Sequence, residues 1–239
     1  MRLVREKTVY QLTFMPRMFP VNCYFVEEED HLTLIDAALP YGAKAILRAA
    51  RHIGKPIGRI VLTHAHSDHV GALDALKQAL PDALVHISRR DARLIDGDLS
   101  LDADEPDTPI RGGIPKALKT RADVLLQDGD RIGSLLALAA PGHTPGSMAF
   151  LDTRNGSLIA GDAFQTRGGI AVSGQLRPWF PFPAMATWNK IKALESARKL
   201  RAYHPTLLAV GHGELLKQPG AALDRAIAEA ERNLAHFLK

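Results

Sequence analysis

The sequence predicts an α/β fold, on three observations. Apolar, β-prone runs alternate with segments of helical periodicity along the chain. No Gly/Ser-rich linker interrupts that alternation, and no repeat of about 20–50 residues organises it. The 239 residues are 46% hydrophobic and 23% charged, ordinary for a globular protein and long enough to bury a substantial core. One domain over 1–239 is the simplest organisation.

The elements follow in order. "VYQLTFMP" and "NCYFVEEEDHLTLID" read as strands, with "EEEDH" turning the second run into a hairpin. "YGAKAILRAARHIG" carries Ile46, Leu47, Ala50 and Ile53 at helical spacing, and Gly54 and Pro56 stop it. "RIVLTHAH" is a strand that runs into a histidine cluster, "VGALDALKQALP" a helix directly after it, and "ALVHIS" a buried strand. The Asp-, Pro- and Gly-rich stretch 98–120 predicts a long surface loop or lid. Strands resume in "DVLLQDGDRIGSLLALAAPGH" and "GSMAFLDTRNGSLIAGD", with "TRNG" as a hairpin turn. A second irregular stretch, 163–187, precedes a helix from about Trp188 to Leu200, the strand "TLLAVGHG" and a C-terminal helix. In that last helix Leu223, Ile227, Ala230, Leu234 and Phe237 repeat at helical spacing.

Composition narrows the partners. The net charge of +4 is spread out, and spots such as "SRRDAR" are diluted by acidic and apolar neighbours. A nucleic-acid groove needs a basic stripe with stacking aromatics, so no nucleic-acid partner is expected. No apolar run approaches the length of a membrane span. The start, "MRLVREKTVYQL", lacks the apolar core of a signal peptide, and Cys23 is the one cysteine. Together these predict a cytoplasmic protein in a reducing compartment, acting on a small molecule. The oligomeric state stays open, a homodimer being compatible.

"THAHSDHVG" places three of the ten histidines in six positions. On a strand running into a loop, residues two apart face the same way, so His64 and His66 can grip one ion together. Asp68 and His69 fall at the start of the next helix, where the turn can aim them at a second ion. Imidazole and carboxylate are the usual ligands of catalytic zinc. Further ligands should sit at strand ends. "LALAAPGH" ends at His143, "SLIAGD" at Asp162 and "LLAVGH" at His212, each an apolar strand, then glycine, then a polar residue. Glycine there gives a tight turn and a close approach of backbone to the ion.

In this order "THAHSDHVG", "PGHTPGS", "IAGD" and "VGHG" resemble the motifs of the metallo-β-lactamase superfamily, and "LTLIDAAL", with Asp36, is similar to its first motif. The resemblance implies a four-layer αββα sandwich with the metal site at the edge of the two sheets. It implies that His64, His66 and His143 hold one ion, that Asp68, His69 and His212 hold a second, and that Asp162 bridges both. Asp36 would orient the ligand loop from behind. The cofactors implied are two divalent ions, zinc first, with manganese, iron and cobalt as alternatives. Histidine at His66, where diiron oxygen reductases of the superfamily carry glutamate, favours hydrolysis.

A hydroxide bridging two ions would be the nucleophile, with Asp68 moving the proton to the leaving group. The expected activity is cleavage of a small carbonyl substrate: ester, thioester or lactone. A phosphodiesterase and a non-catalytic zinc-binding module are the alternatives. Within the superfamily the chain resembles the lactonase and glyoxalase II branch without the extra C-terminal domain. Lactonases commonly carry tyrosine where this chain has Gln165. The stretch after Asp162 supplies the candidate substrate pocket: Phe164, Gln165, Arg167, Arg177, Trp179, Phe180, Phe182 and Met185.

Overall fold

The computed structural model describes residues 1–116 and 118–237, with the Phe237 side chain outside them. The chain forms two compact units. The first comprises Met1–Asp98 with Gly113–Leu126; the second comprises Leu99–Gly112 with the chain from Gln127 onward.

The first unit is built on one seven-stranded sheet whose spatial order is its sequence order. Strands β1 (Arg2–Glu6), β2 (Val9–Phe14), β3 (Val21–Glu27) and β4 (Leu32–Ile35) are antiparallel neighbours. Helix α1 (Ala43–Ile53) returns the chain to β5 (Ile57–Val61), which pairs parallel to β4. The ligand-rich loop follows, with a helical turn α2 (Ser67–Val70) and helix α3 (Leu73–Ala79). Then come β6 (Leu84–Ser88), α4 (Arg89–Ile95) and β7 (Val124–Leu126), both strands joining in parallel. Strands β2, β3 and β4 are buried almost throughout, as near-continuous apolar runs require. In α1 Ala43, Ile46, Ala49 and Ala50 face inward, and Gly54 at φ +85° caps the helix in the left-handed conformation.

The second unit holds a six-stranded sheet in the order β15-β14-β11-β10-β9-β8. Its strands are β8 (Arg131–Ile132), β9 (Leu135–Ala139), β10 (Met148–Asp152), β11 (Ser157–Ile159), β14 (Leu207–Ala209) and β15 (Leu216–Lys217). A ribbon of β12 (Phe164–Gln165) with β13 (Ala171–Val172) stands apart from that sheet. Helices α5 (Phe182–Ala186), α6 (Lys190–Arg201) and α7 (Gly220–Phe237) complete the unit. Its core joins Leu138, Ala149, Leu158 and Leu208 of the sheet to Ala193, Ala197 and Leu200 of α6 and Leu223, Ile227 and Ala230 of α7. Burying such side chains contributes roughly 1.5–3 kcal/mol each for the larger ones.

Several expectations change. Strand β1 precedes the first strand read from the sequence; it is a largely exposed edge carrying Arg2, Arg5 and Glu6, the charged type that discourages pairing with other chains. The single helix expected after the histidines divides into α2 and α3, so Asp68 and His69 lie inside a helical turn. Helix α4 was hidden by its short length and basic composition, although Ser88 caps it through the Asp91 N–H. The stretch 163–187 is more ordered than expected, since it contains β12, β13 and α5. The described residues of 98–120 form neither helix nor strand. No helix among the described residues is long and apolar enough to cross a membrane.

Candidate metal centre

In the first unit β4, β5 and β6 are parallel, so their C-terminal ends share one sheet edge. Asp36 follows β4, Thr63–His69 follow β5, and Asp91 lies in α4 just after β6. His64, His66 and His69 are all buried. The His64 ring lies 4.8 Å from that of His66 and 4.1 Å from that of His69, centroid to centroid. The Asp68 carboxylate is 3.9 Å from His69 Nε2 and is about a quarter exposed.

Asp36 organises this loop. It sits at φ +63°, a conformation that costs an ordinary residue about 1–2 kcal/mol and persists only when the surroundings hold it. Oδ1 accepts the Thr63 N–H at 2.7 Å; Oδ2 accepts the Thr63 hydroxyl at 2.8 Å and faces His69 Nδ1 at 2.8 Å. A carboxylate only accepts, so Nδ1 of His69 carries the proton. The Thr63 hydrogen is committed to Asp36. Thr63 Oγ1 is therefore the acceptor for His64 Nδ1, 3.0 Å away. One buried carboxylate thus sets both imidazoles to the tautomer whose Nε2 is a lone-pair donor. Its charge also reaches Cys23, whose thiol is pushed well up by burial and then by Asp36.

The second unit gathers three residues by the same logic. β9 and β11 both run antiparallel to β10, and β11 runs parallel to β14. The C-terminal ends of β9, β11 and β14 therefore lie on one edge, and they lead to His143, Asp162 and His212. All three are buried. Asp162 Oδ2 lies 3.3 Å from His143 Nε2 and 3.2 Å from His212 Nε2. Those separations exceed the 2.7–2.9 Å of a charge-assisted hydrogen bond. Two donors on one tetrahedral zinc ion, each about 2.0–2.1 Å from it, stand about 3.3 Å apart. The donor set fits a divalent ion.

His143 is held from its other side by a directed chain. Thr187 Oγ1 donates to the Pro183 carbonyl at 2.7 Å. The contact of 2.8 Å between Ser173 and Thr187 must then use the Ser173 hydrogen. Ser173 Oγ, 3.0 Å from His143 Nδ1, is left as acceptor, so Nδ1 is again the protonated nitrogen.

Two glycines beside these histidines, Gly142 and Gly213, are required by packing within the protein. Gly142 has φ +143°, and a Cβ there would clash with the backbone of Ala193 in α6. Gly213 has φ +122°, and a Cβ there would strike Thr166 and the Arg167 N–H. That close approach lets Thr166 and Arg167 donate their N–H groups to the His212 carbonyl at 3.1 and 3.2 Å.

The eight residues expected to line a substrate pocket divide by role, with Arg167 half-buried. Phe164 belongs to the core of the second unit. Gln165 is buried and donates to the carbonyls of Arg167 and Phe180 at 2.9 and 3.1 Å. Arg177 is engaged by Glu229 and by the Ile170 carbonyl, which removes it as a free clamp for a substrate anion. Phe180 packs its ring 5.3 Å from that of His212, with Phe182 a further 5.3 Å beyond it. Trp179 is 88% exposed and Met185 66%.

Sequence reasoning missed three supports. Asp91 is fully buried, and its Oδ2 accepts the N–H of Ala65, between His64 and His66, at 2.9 Å. Ser173 and Thr187 hold His143. Of these Asp91 had a local signal, the Ser88-x-x-Asp91 capping pattern, which marks its helix but not its reach to Ala65. Ser173 and Thr187 stand 30 and 44 residues from His143, beyond any spacing rule.

Buried imidazole and carboxylate donors at the C-terminal edges of strands define a candidate metal site, and the family match makes the class that of the metal-dependent hydrolases. The chain belongs to the metallo-β-lactamase superfamily, whose family description matches residues 16–212. It is 60% identical over 232 residues to the uncharacterized protein YobT of Bacillus subtilis (strain 168), covering 97% of this chain and all of that one. It is 30% identical over 151 residues to a hydroxyacylglutathione hydrolase of Gloeobacter violaceus, covering 62% of this chain and half of that one. Among solved structures, a di-iron-bound form of TTHA1623 superposes with a TM-score of 0.63 at 29% identity, covering 89% of this chain and 96% of that one.

Proposed function

We propose that the protein is a dinuclear zinc hydrolase that cleaves a small carbonyl substrate, with thioesters first and esters and lactones beside them. In this reading His64, His66 and His143 serve one ion, Asp68, His69 and His212 serve the second, and Asp162 is shared. The observation that carries it is the single Asp162 oxygen set 3.3 and 3.2 Å from two histidine Nε2 atoms. The tautomers of His64, His69 and His143 support it, since each turns Nε2 toward ligation. The thioester preference draws on the hydroxyacylglutathione hydrolase among the relatives. The lone, buried Cys23 suits the reducing cytoplasm in which we place the enzyme.

Bound divalent ions would supply Lewis acidity and bring the pKa of water toward neutrality. The chain supplies the rest. Asp36 and the Ser173–Thr187–Pro183 chain keep the imidazoles in the ligating tautomer. Asp68, the most accessible of the seven donors, is the group that carries a proton to the departing thiol or alcohol. Phe180 shields one face of His212 from water. The test is a panel of thioester, aryl ester, lactone and bis-aryl phosphate substrates, with zinc and with chelator. Zinc-dependent, chelator-abolished turnover of a carbonyl substrate is expected. Turnover confined to the phosphodiester, or unaffected by chelator, refutes the reading.

A further inference from the structure

Helix α2, which carries Asp68 and His69, does not hold itself. It is four residues long, and His66 at its N-cap makes no side-chain capping bond. A helix needs about 12 residues or more to persist in water by itself. The first N–H groups of any helix also need outside acceptors. The Ser67 N–H finds one 46 residues along: the Gly113 carbonyl accepts it at 2.7 Å and accepts the Ser67 hydroxyl at 2.6 Å. Two donors of one residue thus meet one carbonyl oxygen, and that residue stands between His66 and Asp68.

The chain that leaves Gly113 is tied to the next helix as well. Asp74, in the first turn of α3, accepts the N–H groups of Lys119 and Thr120 at 3.1 and 2.8 Å and the Thr120 hydroxyl at 2.6 Å. Lys77, three residues on in the same helix, donates to Asp123 at 3.0 Å, an exposed pair that adds little. Ser67 and Asp74 therefore grip the two ends of one stretch, at Gly113 and at Thr120.

The other end of α2 has separate partners. The Ala37 N–H donates to the His69 carbonyl at 2.6 Å, and the Gly71 N–H donates to the Ala38 carbonyl at 2.8 Å. Those bonds belong to the loop after Asp36. Releasing Gly113 removes bonds at the N-terminal end, where Asp68 lies, and leaves these in place.

We propose that Ser67 and Asp74 are positioning residues: they clasp the stretch beginning at Gly113 onto the turn that carries Asp68 and His69, and so favour zinc binding there. The proposal rests on the reading of Asp68 and His69 as zinc donors. Linkage then requires zinc to tighten the clasp by the same factor by which the clasp tightens zinc.

The test reads amide hydrogen exchange by NMR, and zinc affinity by competition with a chromophoric chelator, on the full chain. Zinc should slow exchange of the Ser67, Lys119 and Thr120 N–H groups by about fivefold or more. Asp74→Ala removes a carboxylate that is not among the seven donors. It should speed exchange at Ser67 as well as at Thr120 and weaken zinc by about fivefold or more. Asp74→Asn keeps an acceptor and should restore most of that affinity. Ser67→Ala should also weaken zinc. The double variant should bind within about twofold of the weaker single one, because both changes open the same clasp. A lower Tm in Asp74→Ala with zinc affinity within twofold of the parent protein would make Asp74 a structural anchor and overturn the proposal. Losses that multiply in the double variant would overturn it too. Zinc that slows exchange at His69 but not at Lys119 and Thr120 would overturn the clasp and leave the metal reading intact. A parent protein that binds no zinc would overturn both.

Discussion

Replacing Asp36 by asparagine isolates the charge at the head of the ligand loop. Asparagine tolerates the left-handed backbone at φ +63°, so the fold of the turn is retained. The Thr63 N–H still needs an acceptor, so the amide oxygen occupies the Oδ1 position and the NH₂ the Oδ2 position. That NH₂ now donates to Thr63 Oγ1 and to His69 Nδ1, where the carboxylate had accepted from both. His69 then carries its proton on Nε2. The Thr63 hydroxyl, released from Asp36, donates to His64 Nδ1 and drives the same change there. Three charge-assisted bonds become neutral ones, a loss of about 3 kcal/mol in all. For a protein of this length that lowers Tm by about 6–12 °C. The two histidines must also return to the ligating tautomer before they bind an ion. Such supports are typically worth about 10–100-fold in metal affinity, or about 1.4–2.7 kcal/mol. The assay is competition of the metal-free protein against a chromophoric zinc chelator, with thermal unfolding as the control. Zinc affinities within twofold of the parent protein would refute the tautomer argument, whatever happened to Tm.

Three further outcomes follow from the same geometry. Thr187→Val frees the Ser173 hydrogen to turn toward His143 Nδ1, so it should weaken zinc binding by about tenfold. Ser173→Ala should cost less, because Thr187 Oγ1 already lies 3.3 Å from that nitrogen; the opposite ranking in the chelator assay contradicts the directed chain. Gly213→Ala places a methyl group against Thr166 and Arg167 and should displace the His212 loop, costing about 3 kcal/mol or more in denaturant unfolding; a loss under about 1 kcal/mol contradicts the packing. The pairing with Arg177 holds the Glu229 carboxyl below its ordinary value. The stability it contributes is present above the ordinary glutamate value near 4.5 and is lost as pH falls through the lower folded value. Glu229→Gln should therefore flatten the acid limb of a stability–pH curve; an unchanged limb contradicts the assignment.

Much of the fold was legible because its buried strands are rich in apolar and β-branched residues, β2 to β4 above all, even with Gln11, Thr13, Asn22 and Thr33 buried among them. The short helices were not. α4 spans seven residues and α5 five, too short for periodicity to declare itself. The seven candidate donors stood out by residue type and by their places after strands. What stabilises them did not, since Asp36 reaches His69 across 33 residues and Asp91 reaches Ala65 across 26. The stretch after Asp162 was the least legible. Its aromatic content signals burial or a pocket equally, and the folded chain divides it: Phe164 lies in the core, Phe180 packs on His212, and Trp179 and Met185 are exposed.

The proposed sharing of Asp162 between two ions is tested most directly by zinc stoichiometry. Reconstituted protein, freed of loose metal by gel filtration, should hold two zinc ions per chain by elemental analysis. Asp162→Ala should hold one or fewer while keeping its circular dichroism spectrum. One ion or fewer in the parent protein, or two in Asp162→Ala, would contradict it.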